Sequence, residues 1–141
     1  SSVIPTVSSD ILAEKIRQFQ SNAKNIHPIA LVSTDIENFH YINDKYGYPL
    51  GNEILNILYE ELASSSFSLF TIRFFSDVFI TIADMKEATP KELSEQVQAL
   101  DHKICSRIRD TYQVSFFRTN SGICLMQDEA QTPEAVYPAP T

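Results

Sequence analysis

The chain has 141 residues, enough to bury one sizeable core and too few for two ordinary domains. Its formal net charge of −7 argues against a nucleic-acid surface, because phosphate backbones are held by clustered Lys and Arg. No apolar run has the length of a membrane span and no signal-peptide pattern opens the chain, so no membrane insertion of this segment and a cytoplasmic setting are expected.

Residues 1–9 are rich in Ser, Pro and Val and read as a tether or edge segment. Asp10 is placed as the cap of a helix in which Leu12, Ile16, Phe19 and Ala23 recur at helical spacing. Residues 28–34 form an apolar run around Leu31 and Val32, a buried strand ending at Asp35. Residues 38–46 read as a short helix closed by Gly47, and a stronger helix follows with Leu50, Ile54, Leu58 and Leu62 on one face. That helix stops in Ser64-Ser65-Ser66. Residues 67–74 and 78–83 pair as a hairpin whose turn lacks Asn-Gly or Asp-Gly. Thr89-Pro90-Lys91-Glu92 carries a complete helix start, with Thr as N-cap, Pro at the first position and Glu closing a capping box. The helix it opens repeats Leu93, Val97, Leu100, Ile104 and Ile108. Residues 114–126 read as a strand region broken at Ser121-Gly122, and beyond Gln127 the chain turns polar and Pro-rich. Cys105 and Cys124 lack CxxC spacing and read as buried reduced thiols, and Phe67, Phe70, Phe74, Phe116 and Phe117 as strand core or sheet face.

This order, α-β-α-α-β-β-α-β with an antiparallel hairpin, predicts an α+β sandwich of the ferredoxin-like or polymerase-palm type. The expected sheet has four or five strands with helices on both faces. Leu31, Leu58, Leu62, Ile72, Ile80, Leu100 and Ile104 are expected in the core.

Three stretches could carry chemistry. Asp35-Ile36-Glu37-Asn38-Phe39 puts acids at a strand end, where carboxylates and a strand carbonyl can hold Mg²⁺ over a nucleotide; the plainer alternative is a helix cap. Asn43-Asp44-Lys45-Tyr46-Gly47 and Gly51-Asn52-Glu53 offer amides that can read a base edge, or simply turn chemistry. Arg73-Phe74-Phe75-Ser76-Asp77-Val78-Phe79 occupies a turn with no glycine, since the three glycines are Gly47, Gly51 and Gly122. A loop that brings its backbone against a phosphate ordinarily needs glycine, because a Cβ blocks the approach.

Together these stretches resemble the GGDEF family, the diguanylate cyclase domains of bacterial signalling. Residues 31–47 follow its D-x-D-x-F-K-x-I-N-D-x-x-G-H pattern and Gly51-Asn52-Glu53-Ile54-Leu55 its G-D-x-x-L. Residues 73–79 fall where R-x-G-G-D-E-F belongs, and Ser121-Gly122-Ile123 matches the late S-x-G-I strand. The resemblance implies a GGDEF palm fold over residues 10–127, with residues 128–141 a truncated or diverged end. It implies metal ligation by Asp35, the Ile36 carbonyl and Asp77. It also places Asn43 on guanine, with Asn52 and Phe39 beside the nucleotide, and it implies Mg²⁺ only if GTP binds.

The departures concern the chemistry. Phe75 and Ser76 replace both signature glycines, and Val78 replaces the glutamate expected to assist catalysis, leaving Asp77 and Phe79 as the kept signature positions. His40, Tyr48 and Asn52 replace a lysine, a histidine and an aspartate of the pattern. Ser66 and Leu69 hold the positions of the family's inhibitory R-x-x-D. The expectation is therefore a catalytically degenerate GGDEF domain with no catalytic residues, acting as a regulatory or protein-interaction module. Its expected partners are fused or associated signalling domains such as an EAL phosphodiesterase, and a homodimer is compatible with it. The alternative is a GTP-binding sensor without turnover; an active cyclase ranks last.

Overall fold

The computed structural model describes residues 4–22, 25–26 and 28–126. Helix α1 (Ser9–Gln20) starts two residues earlier than a cap at Asp10 implies. Its first turn is satisfied by Ser8, whose hydroxyl accepts from the Ile11 N–H at 3.4 Å and whose carbonyl accepts from Leu12. Asp10 thus lies inside the first turn, where a carboxylate favours the helix dipole, and does not cap it. Leu12 and Ile16 are its buried stripe; Ala23, also placed on that stripe by spacing, lies outside the described residues. A two-stranded ribbon, β1 (Ser21–Asn22) and β2 (Asn25–Ile26), leads into β3 (Ile29–Ile36).

The remaining elements follow the expected order: α2 (Phe39–Tyr46), α3 (Tyr48–Ala63), β4 (Ser68–Phe75), β5 (Val78–Asp84), α4 (Pro90–Tyr112) and β6 (Thr119–Met126). The α4 start has the anticipated capping box, with Thr89 Oγ1 accepting from Glu92 N–H and Glu92 Oε1 from Thr89 N–H, both at 3.1 Å. Such a cap contributes about 1 kcal/mol. The main sheet is four-stranded in the order β4-β5-β3-β6, with every neighbouring pair antiparallel. β3 is therefore central, which is why its residues are apolar on both faces.

Alternation along the strands sorts two cores. Ile29 and Leu31 of β3, Ile80 and Ile82 of β5, Ile72 of β4 and Met126 of β6 meet Leu12 and Ile16 of α1. On the other face Ala30, Val32 and Ala83 meet Leu93 and Val97 of α4. Ile36 and Phe79 there join Ile54, Leu58 and Leu62 of α3 with Ile104 and Ile108 of α4. Both thiols are free and buried.

Several expectations need correction. Leu100 is half-buried, because it sits where the two clusters under α4 adjoin. Residues 114–118 are not strand: Gln113 ends α4 in the left-handed region (φ 60°), and Phe117 N–H closes a turn onto Val114 C=O. Phe116 is consequently exposed and rests against Tyr41 and Tyr46, with Lys45 over all three rings. The strand is also unbroken at Ser121-Gly122, since Gly122 pairs with Ser33 in continuous register. The amino-terminal segment does not hang free along its whole length: Thr6 bridges to Arg73, and Val7 N–H donates to Arg73 C=O at 2.9 Å.

Candidate functional site at the signature hairpin

The site lies where the carboxyl end of β3 meets the β4–β5 turn. Asp35 stands in register opposite Val78 on one side and Asn120 on the other. On the β6 side, Glu37 N–H donates to Arg118 C=O at 2.9 Å. Antiparallel pairing alternates its bonded residues, so the main-chain groups of Ile36 turn toward the hairpin. There the Ile36 N–H donates to Asp77 Oδ2 at 3.1 Å. That bond fixes the turn carboxylate beside the strand end, and the two acids meet on one rim.

Their proximity is electrically costly. Burial first, then the charges of Asp77, Glu37 and Asp101, raises the Asp35 carboxyl above its ordinary value. Asp35 is not a helix cap, because the N-cap of α2 is Asn38, held at φ 55° without a side-chain cap bond. The two carboxylates and the Ile36 carbonyl on the same side are hard oxygen donors. They fit one Mg²⁺, an ion that keeps several waters and needs few protein carboxylates. No group of three metal-ligating side chains occurs among the described residues.

The turn itself is tight, since Phe75 and Val78 pair directly across Ser76 and Asp77. Positive φ falls on Ser76 alone (43°), the type II′ pattern in which glycine is favoured at the first loop position. An L-residue there pays a steric penalty of roughly 1–2 kcal/mol. The turn keeps the backbone path glycine would favour without the glycine. Arg73 holds it from outside: its Nε donates to Ser76 C=O at 2.5 Å and its Nη1 to Ile4 C=O at 2.9 Å. Phe75 projects from the tip, 56% exposed, with the Phe74 ring against it at 4.9 Å between ring centroids. Val78 is half-buried beside the apolar face of α1, and Phe79 is fully buried.

The base-reading candidates lie on the α2–α3 corner. Asn43 is half-buried, and its Oδ1 is buried without a hydrogen-bond partner among the described residues. It presses on Gly51: a Cβ at that position would land on Oδ1, and would also meet Phe39 Cζ at 3.4 Å. Gly51 is thus needed for close approach. Asn52 is half-buried nearby on α3, whereas Phe39 is buried in the core under the corner and so supports the site from below. His40, in the place of the lysine, is exposed and pairs with Asp44 at 3.1 Å, and Tyr48 is exposed.

Sequence reading missed two parts. Nothing in the pattern linked Arg73 to the amino-terminal segment, because main-chain acceptors leave no signature. Nothing in the sequence pattern singled out Asp101, yet its Oδ1 accepts from Thr119 Oγ1 at 3.0 Å and Ser121 Oγ at 2.9 Å. Ser121 Oγ lies 2.9 Å from Thr34 Oγ1, so the clasp reaches β3 one residue before Asp35. Burial raises the Asp101 carboxyl, opposed by those two hydroxyl bonds.

The family model described as "Diguanylate cyclase, GGDEF domain" matches residues 9–139. No curated protein sequence matches the chain. Among solved structures, it is similar to the GGDEF domain of DgcB from Caulobacter crescentus in complex with c-di-GMP, at 15% identity and TM-score 0.70, over 96% of this chain and 81% of that one. The active GGEEF domain of a diguanylate cyclase from Vibrio cholerae is 22% identical with TM-score 0.58, over 92% of this chain and 76% of that one. The S helix–GGDEF–EAL portion of Vibrio cholerae LapD, bound to c-di-GMP, is 15% identical with TM-score 0.58, over 90% of this chain and 29% of that one.

Proposed function

Because this chain belongs to the GGDEF family of cyclic-diguanylate signalling proteins, we propose that it is a catalytically silent member serving as a regulatory or protein-interaction module. The observation that carries this reading is the hairpin tip. Phe75 stands exposed where a phosphate would need bare backbone, and Ser76 strains to keep the glycine path. Val78, in the place of the catalytic glutamate, can neither take a proton nor bind a metal. Losing one preorganised electrostatic contact typically costs ~10²–10³ in rate, and several are lost here together. An exposed aromatic at a rigid tip suits a docking role instead.

The LapD similarity supports neighbouring signalling domains, since that protein joins a GGDEF to an EAL domain. No helix among the described residues is long and apolar enough to cross a membrane, and the proposed setting is cytoplasmic. The test is direct: purified protein with GTP and Mg²⁺ should form no cyclic diguanylate above a protein-free control. Product that scales with protein concentration overturns the proposal.

A second reading, a GTP sensor without turnover, rests on a different observation. Asp35 and Asp77 share one rim beside the Ile36 main chain, and Asn43 is half-buried on the α2–α3 corner. Asp35, Asp77 and the Ile36 carbonyl would hold Mg²⁺, and the ion would supply positive charge against the acid pair and toward a phosphate. GTP with Mg²⁺ at 100 times its dissociation constant would stabilise the domain by about 2.7 kcal/mol. An unchanged melting temperature with millimolar GTP and Mg²⁺ eliminates this reading and leaves the first.

A further inference from the structure

The chain ahead of α1 is shaped to lie along the sheet. Pro5 biases Ile4 toward extended backbone and brings no N–H of its own, so residues 4–7 suit the outer side of an edge strand. β4 is such an edge, and Thr6 bridges parallel to its Arg73. Among the described residues, two hydrogen bonds tie residues 4–7 to β4, and both end on Arg73. Val7 N–H donates to its C=O at 2.9 Å, and its Nη1 donates to Ile4 C=O at 2.9 Å. The Val7 side chain also packs on the apolar cluster beneath α1, while Pro5 and Thr6 are exposed. A segment held by so few contacts can open without unfolding the domain.

Arg73 also reaches the hairpin tip. Its Nε donates to Ser76 C=O at 2.5 Å, and Ser76 is the turn residue held at φ 43°. Between the segment's contact and the tip, the ladder to β5 shifts register, from Arg73–Phe79 to Phe75–Val78. Regular strand bonding is interrupted there, and the Arg73 side chain spans the gap. A guanidinium is planar with its donors in a fixed fork, so anchoring Nη1 on Ile4 also aims Nε at Ser76. The charge of Asp77, the other turn residue, acts on the same group.

We propose that residues 4–7 are a strap whose docking on β4 sets the order of the hairpin tip, with Arg73 as the coupling residue. Docked, the strap fixes the guanidinium, and the guanidinium fixes the Ser76 carbonyl. Released, Arg73 regains its rotamers, Ser76 C=O loses its donor, and the turn loses a restraint that holds its positive φ. The coupling runs both ways, so whatever keeps Ser76 on its present path tightens the strap by the same factor. The strap runs into α1 almost at once, and a displacement of the chain ahead of Ser9 is thereby delivered to the exposed Phe75. This coupling is a property of the hairpin and holds whether or not the domain turns GTP over.

The experiment uses the full chain and reads amide hydrogen exchange at Phe75 and Val78, the pair that closes the turn. Val7→Pro removes the N–H that Arg73 C=O accepts, and loss of the nuclear Overhauser contact between residues 6 and 73 reports release of the strap. The expected result is exchange at Phe75 and Val78 roughly tenfold faster, with the amides of Leu31 and Ile104 unchanged. Arg73→Lys keeps the charge but has no planar fork to span two carbonyls. In that background the tip should already exchange fast, and adding Val7→Pro should change it by less than about twofold. Should the proline variant fail to melt cooperatively, Val7→Ala loosens the same strap through its side chain and should give about threefold in the same cycle. Tip exchange at the parent rate in both Val7 variants overturns the proposal. Equal acceleration with and without Arg73→Lys overturns it as well, because the coupling then bypasses the guanidinium.

Discussion

Ser76→Gly tests whether the hairpin turn is a glycine turn built without glycine. Ser76 sits at φ 43° with its carbonyl already engaged by Arg73 Nε. The left-handed region costs an L-residue roughly 1–2 kcal/mol, and glycine removes that penalty. Against this, glycine adds unfolded-state freedom of about 0.5–1 kcal/mol. The Arg73 bond is to a main-chain oxygen and survives the substitution. The net expectation is a gain of about 0.5–1 kcal/mol, which for a domain of this size raises the melting temperature by roughly 2–4 °C. Calorimetry or thermal circular dichroism measures it, with Ser76→Ala as the control, since alanine keeps the penalty. A Ser76→Gly protein that melts lower than the parent would refute the strain argument. Product formation by the same variant stays at background in the proposed reading, because Phe75 and Val78 remain.

Other predictions follow from single contacts. Gly51→Ala should destabilise by about 1–3 kcal/mol, because the new methyl drives Asn43 from its place; urea titration reads the loss, and an unchanged midpoint contradicts the close approach. Arg73→Ala frees both Ser76 C=O and Ile4 C=O and should cost roughly 2 kcal/mol, with faster exchange of the Val7 amide. The Asp101 carboxyl is raised by burial, so its contribution to stability is full below its unfolded value of about 3.9 and is lost as pH rises through the higher folded value. Asp101→Asn keeps an acceptor for Thr119 and Ser121, and its melting temperature should fall less than the parent's between about pH 4 and pH 7. An identical pH profile would show that the carboxyl is not desolvated.

Much of the fold was legible because its determinants are local. The helix start at Thr89 is written in three consecutive kinds of residue, each with its own capping role, and it forms as read. The strand around Leu31 is apolar on both faces, which only a central strand requires, and it is central. The misreadings have a common cause. Val114, Phe116 and Phe117 have strand-like composition, but Arg109 Nε reaches Phe117 C=O at 2.9 Å and the segment curls against α4. Gly122 looked like a break because glycine weakens isolated strands, yet pairing with Ser33 carries the ladder through it. Tertiary partners decided both cases, and spacing cannot see them.

The site was legible in its acids and illegible in its main chain. Asp35 and Asp77 could be set side by side only if β3 and the hairpin were neighbours, which the β3–β5 register provides. What the sequence concealed is that the turn takes a path favoured by glycine with serine at its first loop position. Its backbone still takes positive φ, its carbonyl is still claimed by Arg73, and its carboxylate is still tied to Ile36 N–H. Strain retained at a tip that bears an exposed Phe75 has a consequence for evolution of the site. Had the hairpin no remaining role, a relaxed or lengthened turn would have been the lower-energy solution. In the proposed reading, a strained turn that carries an exposed aromatic ring offers its surface to an apolar partner in place of phosphate.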